Sequence, residues 1–175
     1  MNLIKQLQNL LKQHHCSESV IAHSVAVTKK AVEITDSLNI PIDRELVITG
    51  AMLHDLGRSQ THVLNHFLVG GDIAKKEGFD DRVVNVIERH VGAGITKAEA
   101  TELGLPEKDY LPLSHEEVIV SYSDNLTKGT KHIPFSIALE LFKKKLGNNH
   151  PAVKRLLEQH EKITKWSKFA KKSGS

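Results

Sequence analysis

The sequence has little cysteine, few aromatic residues and no long apolar run. Cys16 is the single cysteine among 175 residues, which excludes an internal disulfide and fits a reducing compartment. Aromatic residues make up 5% of the chain, which disfavours a single-stranded nucleic-acid platform, because such platforms stack bases on rings. No run approaches the ~18 apolar residues of a membrane span, and the first residues lack the apolar core of a signal peptide. We therefore expect a cytoplasmic domain with no membrane attachment and no strong nucleic-acid signal.

The net charge says little about the function of the chain, whereas the histidine content says more. The net charge is +3, and much of the excess lies at the C-terminus, in Lys162, Lys165, Lys168, Lys171 and Lys172. We interpret these lysines as a solvated helix end rather than a nucleic-acid site. The chain has 11 histidines, an excess that is typical of metal or acid–base chemistry but also arises from scattered surface residues.

Helical periodicity runs through the whole chain and predicts an all-α fold, since no stretch alternates convincingly with period two. Ser17, Asp43 and Asp80 are expected N-caps, and the pairs Thr96–Glu99 and Ser114–Glu117 read as capping boxes. We expect the third helix to end at Gly57, the helix after Asp80 to carry His90, and the last helix to span 151–171. The prediction is one helical bundle over residues 1–172, with a core at about 17–131 and C-terminal helices over 134–171.

Four histidine and aspartate side chains fall on faces that we expect to be buried. His23 lies on the apolar stripe of the second helix, and His54 lies on the packed face of the third, with Asp55 beside it. Asp124 follows the apolar run 118–120, and a buried carboxylate without a partner is very costly. Any one of these residues alone could be an ordinary core residue. Together they predict a divalent metal site, because imidazole and carboxylate suit such ions.

In order and spacing these residues resemble the HD superfamily of metal-dependent phosphohydrolases. The matching stretches are His23-Ser24, His54-Asp55-Leu56-Gly57-Arg58 and Asp124-Asn125-Leu126. The second stretch has the form His-Asp, an aliphatic residue, Gly and then Lys or Arg. The resemblance implies an HD-type helical bundle with a central metal site held by His23, His54, Asp55 and Asp124.

Two further histidines extend the resemblance. His66 is similar to the family histidine that opens a helix, although Phe67 stands where the family usually has proline, and His90 is similar to a histidine of the binuclear members. By resemblance, His66 and His90 would hold a second metal with Asp55 bridging. We expect one divalent ion (Fe, Mn, Zn, Ni or Mg) and leave the second open.

The resemblance implies hydrolysis of a phosphoester, such as a nucleotide or cyclic nucleotide, by metal-activated water. Asp55 would then be catalytic as well as a ligand, and Arg58 would grip the phosphate, since a guanidinium fits two phosphate oxygens. Two alternatives stay open, a diiron HD-type oxygenase with the same six ligands and a non-catalytic HD signalling or binding module. The roles of Lys128 and Lys131, the exact substrate and the oligomeric state stay open too.

Overall fold

The computed structural model describes residues 2–168, and most of this part of the chain is helical. Its helices are α1 (Leu3–Gln13), α2 (Glu18–Ser37), α3 (Arg44–Leu53), α4 (His66–Lys76), α5 (Asp81–Glu88), α6 (Lys97–Glu102), α7 (His115–Asn125), α8 (Phe135–Leu146) and α9 (Pro151–Trp166). A 3-10 helix (Leu56–Ser59) lies between α3 and α4, and the strands β1 (Thr127–Lys128) and β2 (Lys131–His132) follow α7. The all-α prediction is confirmed. The expected extension of the last helix to Lys171 was wrong, because α9 ends at Trp166 and the backbone of Ser167 is extended and pairs with Leu38. Lys171 and Lys172 lie outside the described residues.

The caps expected from the sequence are present and explain where the helices begin. Ser17 and Asp43 accept hydrogen bonds from backbone N–H groups in the first turns of α2 and α3. Both capping boxes are complete, so that the Glu side chain returns a bond to the N-cap backbone. These bonds satisfy N–H groups that have no partner within the helix.

The core is formed where α2, α3 and α7 pack together, with α1 and α5 against α3. Val27, Val47, Met52 and Ile119 lie here without exposed surface. A smaller cluster around Phe67 and the loops that flank α6 includes Ile95, Ala100 and Tyr110. Each metal-ligand candidate on α2, α3 and α7 is therefore fixed to the most tightly packed part of the molecule.

Gly57 does not end the third helix, so that expectation was wrong. Helix α3 ends at Leu53, and Gly57 lies inside the following 3-10 helix. A Cβ on Gly57 would lie 1.8 Å from the His66 carbonyl oxygen and 2.6 Å from the Gly70 backbone nitrogen. Glycine is required here because the start of α4 packs directly on its backbone.

Helix α5 also differs from the expectation, and a hairpin that the sequence did not suggest follows α7. Helix α5 ends at Glu88, so His90 lies just beyond the helix and not on it. The residues after Asn125 do not continue α7 but form a hairpin, in which Thr127 pairs with His132 and Lys128 with Lys131. Strands of two residues are too short to show alternation in the sequence. No helix within residues 2–168 is long and apolar enough to cross a membrane.

Candidate metal centre

Six side chains from separate parts of the chain meet at one place in the bundle. His23 comes from the middle of α2, His54 and Asp55 from the end of α3, His66 from the start of α4, His90 from the turn after α5, and Asp124 from the end of α7. His54, Asp55, His66 and His90 are buried, whereas His23 and Asp124 are partly exposed. The structure thus brings together every residue that the sequence suggested as a metal ligand.

The reactive atoms of these side chains lie at short distances from one another. Asp55 Oδ1 is 3.2 Å from His66 Nε2 and 3.6 Å from His90 Nε2. His54 Nε2 is 3.6 Å from Asp55 Oδ2 and 3.5 Å from Asp124 Oδ1. Asp124 Oδ1 in turn lies 3.0 Å from His23 Nε2. The two carboxylates therefore link all four imidazoles into one cluster.

All four imidazoles are held in the same way, through hydrogen bonds from Nδ1 to backbone carbonyl oxygens. His54 Nδ1 donates to Ala51 O at 2.7 Å and His90 Nδ1 to Ile87 O at 2.7 Å. The corresponding acceptors are Gly129 O at 2.6 Å for His23 and Val63 O at 3.0 Å for His66.

These bonds fix which ring nitrogen faces the centre. A carbonyl oxygen only accepts hydrogen bonds, so Nδ1 must carry the proton in each ring. In a neutral imidazole Nε2 then keeps its lone pair, and in this site every Nε2 faces the cluster. This is the arrangement by which proteins orient metal-binding histidines.

The cluster is strongly coupled electrostatically. Burial opposes charge on His54, but the carboxylates of Asp55 and Asp124 outweigh burial and raise the pKa of His54 to about 9. Burial likewise opposes charge on Asp55, yet His54, His66 and His90 hold the pKa of Asp55 far below its usual range. The pKa of Asp124 is also lowered, mainly by His54 and His23 acting against burial. Both carboxylates are therefore ionised at neutral pH, as metal ligands must be.

The donor set fits divalent metal ions. Potential ligand atoms lie within 4.8 Å of one another in three sets: His23, His54 and Asp55; His54, His90 and Asp124; and Asp55, His66 and His90. His54 Nε2 is buried without a hydrogen-bond partner among residues 2–168, and a bound cation would satisfy it. Asp55, His54 and His90 each belong to two of the sets. Of the three, Asp55 alone has two ligand oxygens that face different histidines, so it suits a ligand shared between two ions. Nitrogen and carboxylate donors of this kind suit zinc, iron, nickel or manganese.

Arg58 lies at the edge of this centre, and the hairpin that carries Lys128 and Lys131 contacts the centre through Gly129. Arg58 extends from the 3-10 helix and places Nε 2.8 Å from Asp55 Oδ1, with 30% of its side chain exposed. Lys128 and Lys131 are exposed on the hairpin, whose Gly129 carbonyl orients His23. Sequence reasoning missed Gly129, because nothing in the local pattern links it to a residue 106 positions away. In the stretch Lys128-Gly129-Thr130-Lys131, the glycine is a turn signal that could have suggested the hairpin.

Comparison with known proteins agrees with the fold. The profile of the HD domain matches residues 20–129. The chain belongs to the HD domain family. An uncharacterized protein of Methanocaldococcus jannaschii is 46% identical over 151 residues, which are 85% of this chain and 89% of that protein. A tRNA (cytidine(56)-2'-O)-methyltransferase of Picrophilus torridus is 41% identical over 89% of this HD domain chain, which spans 44% of the methyltransferase.

The HD domain fold is also seen in a solved structure. The HD domain of the L. monocytogenes phosphodiesterase PgpH, in complex with cyclic-di-AMP, superposes with a TM-score of 0.53. The superposition covers 90% of this chain and 92% of that domain, at 18% sequence identity. At that identity the likeness concerns the fold.

Proposed function

We propose that this HD domain protein is a metal-dependent phosphohydrolase that cleaves a phosphoester, with a nucleotide or cyclic nucleotide as the substrate class. One observation carries the proposal. Four imidazoles are held by their Nδ1 hydrogen bonds so that each Nε2 faces the carboxylate of Asp55, of Asp124 or, for His54, of both. Such a preorganised set of donors supports the binding of catalytic metal ions.

His23, His54, Asp55 and Asp124 would hold one ion, and His66 and His90 would hold a second together with Asp55. A divalent metal supplies charge neutralisation of phosphoryl oxygens and lowers the pKa of bound water from ~15.7 towards ~7. Asp55 has two carboxylate oxygens directed to different histidines, Oδ1 to His66 and Oδ2 to His54. This carboxylate is therefore suited to ligate and to orient the attacking water.

Arg58 supports phosphate as the reacting group. Its Nε contacts Asp55, while Nη1 lies 3.4 Å from the His62 carbonyl oxygen, a long and weak contact. The guanidinium is thus held at the edge of the centre with donors left for a ligand. Two phosphate oxygens match the spacing of guanidinium N–H groups.

The relatives support the same function without deciding the substrate. The PgpH domain is named a phosphodiesterase and was solved with cyclic-di-AMP, so a phosphodiester is a reasonable first substrate to test. The methyltransferase name belongs to a protein of which this chain spans 44%, and we do not extend that activity to this chain.

The test is metal-dependent hydrolysis of a panel of phosphomonoesters, cyclic nucleotides and dinucleotides, with protein loaded separately with Mn, Fe, Zn, Ni or Mg. Asp55→Ala is expected to abolish phosphate or nucleotide release and to lower metal affinity. Asp72→Ala is the matched control, because Asp72 is exposed on α4, away from the centre. Metal-loaded protein that hydrolyses no member of the panel would contradict the proposal.

The same samples separate the alternatives. A diiron oxygenase would consume oxygen with an organic substrate when loaded with iron, and it would use the same six ligands. A non-catalytic module would bind metal and nucleotide but would convert no substrate. We favour hydrolysis over oxygenation because Arg58 places an anion-binding group beside Asp55. We favour it over a non-catalytic module because His23, His54, Asp55 and Asp124 are all present.

A further inference from the structure

The turn that follows His90 has little stiffness of its own. It spans residues 91–94, and a backbone hydrogen bond closes it, from Gly94 N to Val91 O at 3.0 Å. Gly92 and Gly94 have φ values of +56° and +91°, and glycine loses more conformational freedom on folding than any other residue. Because His90 lies beyond the end of α5, its backbone continues directly into this turn. Contacts that hold the turn therefore also hold the backbone of His90.

Helix α7 provides the first of these contacts. The carbonyl oxygen of Gly92 accepts hydrogen bonds from Ser121 Oγ at 2.9 Å and from Asn125 Nδ2 at 2.7 Å. Ser121 and Asn125 are four residues apart, so both lie on one face of the helix. Asp124 belongs to the same end of α7. The two bonds thus tie the turn after His90 to the helix that carries another candidate ligand.

Arg155 of α9 binds the far end of the turn. Its Nη2 donates to Gly94 O at 3.1 Å and to the two carboxylate oxygens of Glu99, at 2.9 Å and 2.8 Å. Glu99 is itself fixed, because it closes the capping box with Thr96 at the start of α6. The side chain of Arg155 is 16% exposed, so these bonds are largely shielded from water, which strengthens them.

Gln159, one helical turn further along α9, supports the turn indirectly. Its Nε2 donates to Ser121 Oγ at 3.1 Å, and Ser121 Oγ donates to Gly92 O. A serine hydroxyl has one proton and two lone pairs, so it can accept one bond while it donates the other. Gln159 and Ser121 are both buried. The chain of bonds from α9 to the turn therefore lies inside the protein.

Packing alone does not explain the polar side chains at these two positions of α9. The other buried positions of the helix are apolar, with Ala152, Val153 and Leu156. Arg155 Nε and Gln159 Oε1 are buried without a hydrogen-bond partner among residues 2–168, and burying unpaired polar atoms costs free energy. Apolar residues of similar volume would dock the helix at lower cost. The bonds that both side chains make towards the turn account for their presence.

We propose that Arg155 and Gln159 are positioning residues of the metal centre, which keep His90 in place by fixing the turn at 91–94. Helix α9 lies outside residues 20–129, which the HD domain profile matches, so the support comes from beyond the matched part of the chain. The inference rests on the proposed function and deepens it. The second ion of the proposed centre, which His90 helps to hold, depends on α9, whereas the first ion does not.

The variants remove donors from α9 or, as a control, from another contact between α7 and α9. Arg155→Met and Gln159→Leu keep an apolar side chain of similar length and lose the donors, and Arg155→Lys keeps a charged donor. The matched control is Tyr122→Phe. Tyr122 Oη bonds His160 Nδ1 at 2.6 Å and so joins α7 to α9 at another point. The control therefore loosens the same pair of helices without removing a bond to the turn.

The first measurement is a titration of the metal-free chain with cobalt(II), in which both binding steps are followed by calorimetry and visible absorption. Loss of the groups that hold a metal ligand typically costs roughly ten- to a hundredfold in metal affinity. We expect Arg155→Met to weaken the second step by about that factor and to leave the first step unchanged. Gln159→Leu should have a smaller effect on the second step, because Gln159 acts through Ser121. Arg155→Lys should recover part of the loss, and Tyr122→Phe should match the wild type in both steps.

The second measurement is hydrogen–deuterium exchange in EDTA, which tests the turn without metal or substrate. The Gly94 amide is bonded to Val91 O and reports the opening of the turn. Its exchange should be faster in Arg155→Met and Gln159→Leu than in the wild type, and unchanged in Tyr122→Phe. Circular dichroism checks that each variant is folded, and Gln159→Leu provides the test if Arg155→Met does not fold.

Three results would overturn the role of α9. They are Gly94 exchange that is equal in the α9 variants and the control, a second binding step that weakens as much in Tyr122→Phe as in Arg155→Met, and uptake of fewer than two ions by the wild type. The phosphoester panel measures hydrolysis separately from all three. A wild type that binds both ions as expected and hydrolyses no phosphoester would contradict the proposed function and leave the role of α9 intact.

Discussion

Gly57→Ala offers a direct test of how the fold positions His66. The Cβ of alanine would lie 1.8 Å from the His66 carbonyl oxygen, where contacts under 3.0 Å essentially never occur. The contacting atoms are backbone, so no side chain can rotate away, and the start of α4 must shift by at least about 1.2 Å. Metal–ligand distances in proteins stay within ~0.2 Å of their characteristic values, so a shift of this size takes a ligand out of bonding range. The His66 imidazole therefore leaves its place beside Asp55.

Two quantities should change in Gly57→Ala. Overpacking of this kind costs ~1–3 kcal/mol of unfolding free energy, which urea denaturation measures. Metal analysis should show loss of the same metal equivalent that His66→Ala loses, while the ion proposed at His23, His54 and Asp124 remains.

Gly78→Ala is the matched control. Gly78 has a φ of +84°, and a Cβ added there would meet nothing within 4 Å, so alanine costs ~1–2 kcal/mol of backbone strain alone. We expect Gly78→Ala to be destabilised to a similar degree with unchanged metal content. If Gly57→Ala instead kept the wild-type metal content and urea midpoint, the close approach would not constrain His66, and our explanation of this glycine would be refuted.

Three further predictions concern the centre itself. Arg58→Ala should keep its metal and lose roughly ten- to a hundredfold in kcat/KM on the best phosphoester, since a charge-assisted contact contributes ~1.5–3 kcal/mol. Arg58→Lys should recover only part of that loss in kcat/KM. Unchanged kinetics in Arg58→Ala would remove Arg58 from the site. His66→Ala should lower metal stoichiometry while His62→Ala, in the exposed loop, leaves it unchanged; equal stoichiometry in both would refute a binuclear centre. Metal affinity should rise between pH 6.5 and about 9, because the proton held by His54 must leave before the cation binds; calorimetry that gave a flat profile would contradict this.

Much of the fold could be predicted because its signals are local. Capping boxes and N-caps depend on bonds between residues two or three positions apart, such as Ser114 with Glu117, so short sequence windows contain them in full. The ligand residues could also be proposed in advance, since His23, His54, Asp55 and Asp124 lie at helical positions whose apolar neighbours implied burial. Their roles as ligands remain predictions.

The rest depended on contacts between distant parts of the chain. The carbonyl of Gly129 orients His23 across 106 residues, and the backbone of Gly57 receives the start of α4. Helix periodicity could not show either, because neither interaction repeats along a helix. Lys128 and Lys131 likewise extend from one face of the hairpin only because β1 and β2 pair. The sequence by itself determined the helices and the chemistry of the ligand set. The tertiary structure decided which ring nitrogens face inward and which side of the centre is open. Both of these properties depend on backbone atoms, which every residue has and which only packing brings into place.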